Sequence, residues 1–271
     1  MRTLTLTLIT GLVAGICLLA LSAATAQVSD SQAASIETVS KFADRPGQAH
    51  EFYFTRGIYT DDSYDYYGGR RWSIDFPKAD QQFLVALRRL TGIDAYELDN
   101  ALNLDDPKLR DYPFLYMLEV GNIALTDAEL QGLRDYILAG GFLVIDDFWG
   151  SYAWQTFEEE MRKLFPDRSI VDVPRDHPVF HIFYNIDKIL QVPNLRQGQW
   201  SVYGGPTYEY DGYEPQVRGI FDDEGRLMVL INWNTDLGDA WEWADDALYP
   251  LKFSTYAFEI GINFAVYAMT Y

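Results

Sequence analysis

One run of residues constrains the fold more than any other, because a short apolar segment ends in two carboxylates, two aromatic rings and a glycine. It covers residues 140–150 and reads Gly-Gly-Phe-Leu-Val-Ile-Asp-Asp-Phe-Trp-Gly. An apolar run without polar alternation is typical of a strand that is buried on both faces of a parallel sheet. In open α/β sheets, ligands bind beyond the carboxyl ends of the strands. The run therefore predicts a site at Asp146 and Asp147, although its turn contains no Ser or Cys nucleophile.

Helix and strand signals alternate around this run. Thr126 and Glu129 match a capping box, and Gly140 ends the apolar stripe of the helix that follows them. Other helices are predicted from Pro77 to Gly92, near residues 151–165 and from Ser254 to Met269. Predicted strands cover residues 51–54, 95–98, 114–118, 142–145, 170–173, 182–186, 201–204, 216–221 and 227–231. This pattern predicts an α/β fold with a mostly parallel sheet and helices on both faces, plus short strands and a hairpin at residues 222–225 in the C-terminal half.

The N-terminus predicts export. Arg2 precedes an apolar stretch over residues 4–21, and Ala24 and Ala26 form an A-x-A cleavage pattern. We therefore predict a signal peptide at 1–26, a polar linker at 27–49 and a single α/β domain at 50–271. The mature protein is expected in the periplasm or outside the cell, without a membrane association. The alternative is an uncleaved anchor, because the apolar stretch approaches the length that spans a bilayer.

Charge and cysteine content narrow the chemistry. Acidic residues outnumber basic ones 40 to 21, which gives a formal net charge of −19. Such a charge repels nucleic acid and favours cations, neutral sugars or basic proteins as partners, although it can also serve solubility alone. The single cysteine, Cys17, lies in the predicted signal peptide. The mature chain therefore has no disulfide and no thiol nucleophile, and no cofactor is assigned.

The candidate binding residues lie at three predicted strand ends. Arg56 would orient an anionic or hydroxyl group, and Trp149 would stack on a sugar. Glu119, Asp146 and Asp147 would hold hydroxyls or a cation, although two adjacent aspartates on a strand point in opposite directions, so that only one would face the ligand. The alternative is structural, with one aspartate capping the next helix and the other paired with Arg56. No catalytic residue and no metal ligand are assigned.

Two further segments carry polar groups that chemistry can use. His177 can act as a general base near neutral pH, and His181 follows it at the spacing of a helical metal pair, but Pro178 favours a turn instead. The alternative role for His177 is a backbone hydrogen bond in that turn. Residues 232–246 alternate acids with tryptophans and are interpreted as a rim loop over the ligand end of the sheet, or as an acidic surface loop held by tryptophan packing.

These residues together resemble the family called domain of unknown function 4159 (DUF4159). The matching stretches are 54–57, 72–80, 140–147, 176–180 and 261–263. The resemblance implies a flavodoxin-like fold of the class I glutamine amidotransferase-like type, and its His-Pro motif is similar to that of trehalose-utilisation-type relatives. Such amidotransferases carry a cysteine nucleophile after a central strand, where this chain has Asp146, Asp147 and Phe148, so glutaminase activity is not expected. Fold resemblance does not transfer function.

Three functions are compatible with these residues. The first is a ligand- or partner-binding module of the cell envelope that uses Arg56, Glu119, Asp146, Asp147, Trp149 and His177. The second is a carbohydrate-directed hydrolase in which Glu119 and one of the two aspartates act with His177. The third is a purely structural partner in an envelope assembly, which would bind another envelope protein and no small molecule.

Overall fold

A computed structural model describes residues 50–62 and 70–271. The predicted signal peptide and linker, and residues 63–69 of the segment that precedes Trp72, lie outside the described residues. The described strands are β1 (Thr55–Ile58), β2 (Asn100–Asn103), β3 (Phe114–Leu118), β4 (Phe142–Asp146), β5 (Val171–Asp172), β6 (Gln216–Phe221) and β7 (Leu227–Trp233). The described α-helices are α1 (Lys78–Thr91), α2 (Asp127–Leu138), α3 (Gly150–Leu164), α4 (Leu195–Ser201), α5 (Leu237–Glu242) and α6 (Leu251–Thr270).

All seven described strands form one sheet in the order β2-β1-β3-β4-β7-β6-β5. Strands β2, β1, β3, β4 and β7 run parallel to one another, whereas β6 is antiparallel to both of its neighbours. The predicted α/β fold with a mostly parallel sheet is therefore confirmed. Because the five parallel strands share a direction, the chain segments that follow β1, β3, β4 and β7 all emerge at one edge of the sheet.

The direction of the crossovers places helices on both faces of the sheet. The chain moves from β1 to β2 in one direction and from β3 to β4 in the other, so right-handed crossovers put α1 and α2 on opposite faces. Helices α1, α5 and α6 contact one another over Phe114, Tyr116 and Leu118 of β3. The alternate residues of β3 point to the other face and are equally buried. Among the described residues, no helix has both the length and the apolar character needed to cross a bilayer.

Local capping signals are confirmed. The Thr126 hydroxyl accepts a hydrogen bond from the Glu129 backbone N–H (3.2 Å), and the Glu129 carboxylate accepts one from the Thr126 N–H (2.8 Å). Glu129 also accepts hydrogen bonds from the backbone and side chain of Thr60, which ties α2 to the segment after β1. Helix α1 ends at Gly92 in the left-handed conformation, with φ at 79°. The hairpin between β6 and β7 also forms at the predicted turn.

Four strand predictions are wrong in position or type. Strand β1 begins at Thr55, just after the predicted 51–54, and β2 begins at Asn100 rather than at Ala95, which makes only an isolated bridge. Residues 182–186 form no strand because the Asn263 side chain exchanges hydrogen bonds with the Tyr184 backbone in place of a neighbouring strand. Residues 201–204 instead end α4 and turn. The local sequence pattern of a predicted strand cannot show that a distant side chain will take up the hydrogen bonds of its backbone.

Candidate functional site

Five carboxylates lie together at the carboxyl edge of the sheet. They come from three segments of the chain: the residues before α1, the turn after β4, and the segment from the end of β7 through α5. We call Asp75, Asp147, Asp236, Asp239 and Glu242 the carboxylate cluster. One oxygen from each of Asp75, Asp147 and Asp236 lies within 4.8 Å of the other two, and the same holds for Asp75, Asp239 and Glu242. Asp75 therefore belongs to both groups.

Backbone conformation directs two of these carboxylates into the cluster. Asp75 and Asp147 have positive φ values of 61° and 49°, and Glu119 and Asn234 nearby have 54° and 61°. Left-handed backbone is uncommon outside glycine, although Asp and Asn adopt it more readily than most residues. At Asp147 this conformation ends β4. The strand residue Asp146 thus stays against the sheet, whereas Asp147 joins the cluster, so the two adjacent side chains point in different directions, as expected.

The Asp75 carboxylate lies so close to the start of α5 that a residue with a side chain would not fit at position 238. A Cβ atom at Gly238 would lie 2.3 Å from Asp75 Oδ2, so the glycine makes room for the carboxylate. Oδ2 of Asp75 is nevertheless buried without a hydrogen-bond partner. A buried acceptor without a partner costs about 1–3 kcal/mol, and more when it is charged. This oxygen therefore has no partner while Asp75 and Asp239 are both ionised, whereas a hydrogen bond between the two carboxyl groups forms when one of them is protonated.

The electrostatics of the cluster disfavour five simultaneous negative charges. Burial raises the pKa of Asp75 well above its ordinary value, and the charge of Asp239 raises it further. The pKa of Asp147 is raised by burial and then by Glu119 and Asp75. Burial and the charge of Asp147 likewise raise the pKa of Asp236. These carboxylates must be neutralised in the folded protein, either by protons or by a cation.

Asp146 lies beside the cluster and is completely buried. Its Oδ2 accepts hydrogen bonds from the Tyr116 hydroxyl (2.6 Å) and from the Leu237 N–H at the start of α5 (2.8 Å), while Oδ1 has no partner. Burial raises the pKa of Asp146 to about 7, although the hydrogen bond from Tyr116 opposes this shift. Asp146 therefore joins β3, β4 and α5 beneath the cluster, and titrates near neutral pH.

The structure contradicts the ligand-binding role predicted for Arg56. Its side chain is fully buried within β1 and forms a two-pronged ion pair with the equally buried Asp80 of α1. It also donates hydrogen bonds to the carbonyls of Trp72 (3.3 Å) and Ile74 (3.1 Å). Burial lowers the pKa of Arg56, but Asp80 more than offsets this effect and the net pKa is raised. Arg56 therefore fixes the loop that carries Asp75 instead of facing a ligand.

Trp149 and Glu119 lie near the cluster, and Trp149 does not have the stacking role predicted for it. The indole of Trp149 is only 6% exposed and donates a hydrogen bond to Asp147 Oδ1 (3.0 Å). It positions that carboxylate and is too buried to stack on a sugar. Glu119 pairs with Arg71 (2.7 Å) and acts on Asp147 through its charge.

His177 lies at the opposite end of the sheet. Its ring packs against Phe221 at the end of β6 and against Tyr267, whose hydroxyl accepts a hydrogen bond from the first residue of β7, Leu227. The cluster follows the other end of β7, which at about 3.3 Å per residue is roughly 20 Å away. His177 Nδ1 accepts a hydrogen bond from the Val179 N–H, and burial lowers its pKa. The backbone-bonding alternative is therefore correct, and the predicted pairing of His177 with the carboxylates is wrong.

Most of the cluster was not among the predicted site residues. Asp75 belongs to the stretch 72–80, which was noted only for its family resemblance. Asp236, Asp239 and Glu242 belong to the segment 232–246. This segment lies at the carboxyl end of the sheet, where the rim interpretation expected it, but the prediction of a loop is wrong, because residues 237–242 form α5 and most of the segment is buried or half-buried. For Asp147 and for residues 236–242, the signal available in the sequence was the placement of acids close to tryptophan and glycine, but Asp75 has no glycine close to it. Their convergence depends on β7 lying next to β4.

A comparison with known families shows which family the chain belongs to. The family model described as domain of unknown function (DUF4159) matches residues 64–269. The chain belongs to the DUF4159 family. No curated protein is similar enough in sequence to count as a relative. The DUF4159 match spans Asp75, Asp147, Asp236, Asp239 and Glu242, so the whole carboxylate cluster lies within the family domain.

Proposed function

We propose that this DUF4159 protein is an exported, cation-binding module of the cell envelope, and that its carboxylate cluster binds a hard divalent cation such as Ca²⁺, Mg²⁺ or Mn²⁺. Export rests on the signal-peptide pattern of residues 1–26. A flavodoxin-like fold of the amidotransferase-like type is part of the proposal. It is supported by the order β2-β1-β3-β4-β7 of the parallel strands, which follows the flavodoxin order 2-1-3-4-5.

One observation carries the cation proposal. Asp75 places an oxygen within 4.8 Å of oxygens of Asp147 and Asp236, and its Oδ2 is buried without a hydrogen-bond partner. Such separations are close to the span of an ion whose oxygen ligands lie at about 2.4 Å. The donor set contains only carboxylates, and oxygen-only sites favour Ca²⁺, Mg²⁺ and Mn²⁺ over the metals that prefer histidine or cysteine. A bound cation would give Asp75 Oδ2 a positively charged partner. It would also reduce the repulsion among the carboxylates.

Protons are the competing explanation, because a proton shared between Asp75 and Asp239 would also reduce the repulsion. The two explanations differ at alkaline pH, where protons leave but a cation binds more tightly. The hydrolase alternative requires His177 to act together with the carboxylates, but His177 lies at the far end of the sheet. Binding of a neutral sugar would require Trp149 to stack on the ligand, but this side chain is buried.

The test is thermal unfolding of the purified protein, first in EDTA and then with CaCl₂, MgCl₂ or MnCl₂ at pH 8. At 100 times its dissociation constant, the bound ion should stabilise the protein by about 2.7 kcal/mol and raise Tm by about 5–10 °C. Asp147→Asn keeps an acceptor for Trp149 and tolerates positive φ. This variant should unfold at a higher temperature than the native protein in EDTA, because repulsion is relieved, and it should lose most of the cation effect.

The control is Asp223→Asn, which makes the same chemical change in the β6–β7 hairpin. Asp223 is 83% exposed and lies at the other end of the sheet, so the cation effect should remain complete. If none of the three cations stabilises the native protein, or if Asp147→Asn retains the full shift, the cation proposal is wrong.

A further inference from the structure

We propose that an exposed surface of tyrosines at the carboxyl edge of the sheet binds an arginine-rich segment of another protein. The surface consists of Tyr152 in the first turn of α3 and of Tyr203, Tyr210 and Tyr213 in the segment 202–215, which joins α4 to β6. We call these four residues the tyrosine surface. The inference goes beyond the cation site and does not depend on it, because the tyrosine surface includes none of the five clustered carboxylates.

The four tyrosine side chains face solvent and do not join the core. Each of them is between 63% and 90% exposed. Seven aromatic side chains are exposed among the described residues, so these four are the majority, and a fifth, Trp200, precedes the same segment in α4. A concentration of exposed aromatic groups marks an interaction site, because isolated surface rings are scattered in most proteins. Tyrosine is common in recognition surfaces, since it offers a large contact area with little side-chain entropy to lose.

Hydrogen bonds from the ends of two parallel strands hold the segment 202–215 in place. Asp211 accepts hydrogen bonds from the Ser151 N–H (2.9 Å) and from the Ser151 hydroxyl (2.6 Å), just after β4. The Asn234 side chain, just after β7, donates a hydrogen bond to the Glu214 carbonyl (2.9 Å). These contacts fix the segment against the first turn of α3. A surface that is fixed before binding loses less conformational entropy when a partner arrives.

The charge around the tyrosines favours a cationic partner. Residues 197–217 contain Glu209, Asp211 and Glu214 but no lysine or arginine. Asp211 and Glu214 are exposed. The hydrogen bonds from Ser151 lower the pKa of Asp211, so this carboxylate is charged at neutral pH. Together with the net charge of −19, these acids attract a basic segment and repel an acidic one.

Arginine fits this surface better than lysine, because a guanidinium can stack on a ring and pair with a carboxylate at the same time. Two arginines that flank the segment already make such contacts. The Cζ atom of Arg196 lies 5.0 Å from the centre of the Trp200 ring. The Cζ atom of Arg218 lies 4.7 Å from the centre of the Trp154 ring, and its side chain pairs with Asp172 (3.1 Å). Within residues 50–62 and 70–271, no cation lies over the four tyrosine rings, which are therefore available to a partner.

The experiment measures the binding of labelled peptides to the purified protein by fluorescence anisotropy. EDTA keeps the cation site out of the measurement, and the salt concentration is about 0.15 M so that weak long-range attraction is screened. The probe is a peptide of alternating glycine and arginine. Peptides of equal length that alternate glycine with lysine or with serine are the comparisons. We expect the arginine peptide to bind several-fold more tightly than the lysine peptide of equal charge, and the serine peptide not to bind.

Two variants test the tyrosines and the charge separately. Tyr210→Ser combined with Tyr213→Ser should weaken binding of the arginine peptide about tenfold, because two stacking rings are lost. Glu214→Gln should weaken it about threefold. The matched controls lie at the opposite end of the sheet. Tyr271→Ser removes another exposed tyrosine and Glu224→Gln removes an exposed charge in the β6–β7 hairpin, and both should leave the affinity unchanged.

The other outcomes would overturn the proposal. Equal affinity for the arginine and lysine peptides, or full affinity in the double tyrosine variant, would show that the negative charge of the whole protein binds the peptides. If cellohexaose binds in place of the arginine peptide and the double variant abolishes its binding, the surface recognises a glycan. Self-association in sedimentation that the double variant abolishes, without binding of the arginine peptide, would assign the surface to a second copy of this chain. None of these results bears on the cation site.

Discussion

Replacement of Arg56 by Met is expected to destabilise the protein by about 3–5 kcal/mol. Met fills much of the space of the arginine stem but leaves Asp80 as a fully buried charge without its partner. The carbonyls of Trp72 and Ile74 also lose their donor. Removal of one member of a buried ion pair is more damaging than the replacement of both. The measurement is equilibrium unfolding in urea, followed by tryptophan fluorescence and circular dichroism.

Two further variants make this prediction specific. Arg56→Met combined with Asp80→Leu should recover a large part of the lost stability, since no buried charge is left alone. Arg110→Met removes an exposed arginine paired with Asp135 and should cost no more than about 1 kcal/mol. A loss below about 1 kcal/mol in Arg56→Met would contradict the buried pair and would restore Arg56 as a candidate for ligand binding.

In EDTA, the protein is expected to become less stable as the pH rises from 5 to 8. Burial raises the pKa of Asp146 to about 7, whereas the unfolded chain has the ordinary value of 3.8. Between these values the folded protein holds a proton that the unfolded chain has released, so stability falls as pH increases. The full difference corresponds to about 4 kcal/mol, of which roughly 2–3 kcal/mol falls between pH 5 and 8.

The surroundings of Asp146 define the variants for this test. Tyr116 and the Leu237 N–H favour its charged form, while burial opposes it. The neighbouring Asp147 and Asp236 also have raised pKa values and add to the same pH dependence. Asp146→Asn should be more stable than the native protein at pH 8 and should flatten the profile, whereas Asp223→Asn should not. A profile in EDTA that is flat, or that rises from pH 5 to 8, would contradict the raised pKa of Asp146.

The sequence predicts much of the fold because many of its signals are local. The capping box of Thr126 and Glu129, the stop at Gly92 and the apolar strand before Asp146 each depend on neighbours in the chain. They are confirmed in the structure. Parallel strands bring their carboxyl ends to one edge, so a site near Asp147 also follows from the pattern. The local part of the fold, and the position of Asp147 at the carboxyl ends of the strands, are therefore predictable.

The other site residues depend on long-range packing. Arg56 was predicted to bind a ligand because nothing adjacent to it in sequence shows its partner, Asp80, which lies 24 residues away. Asp75 and Asp236 meet Asp147 only because of the strand order and the left-handed backbone at Asp75 and Asp147. His177 was placed with the carboxylates because the sequence does not show that its turn packs at the start of β7. These features require the folded chain.

The most direct test of the cation site is crystallographic. Crystals of the native protein grown with MnCl₂ at pH 8 would be measured at the manganese absorption edge, together with crystals of Asp147→Asn. We predict an anomalous peak within coordination distance of Asp75, Asp147 and Asp236, which is strongly reduced in the variant. If density in the native crystal shows Asp75 hydrogen-bonded to Asp239 and no anomalous peak in the cluster, protons rather than a cation neutralise these carboxylates, and the proposed function is wrong.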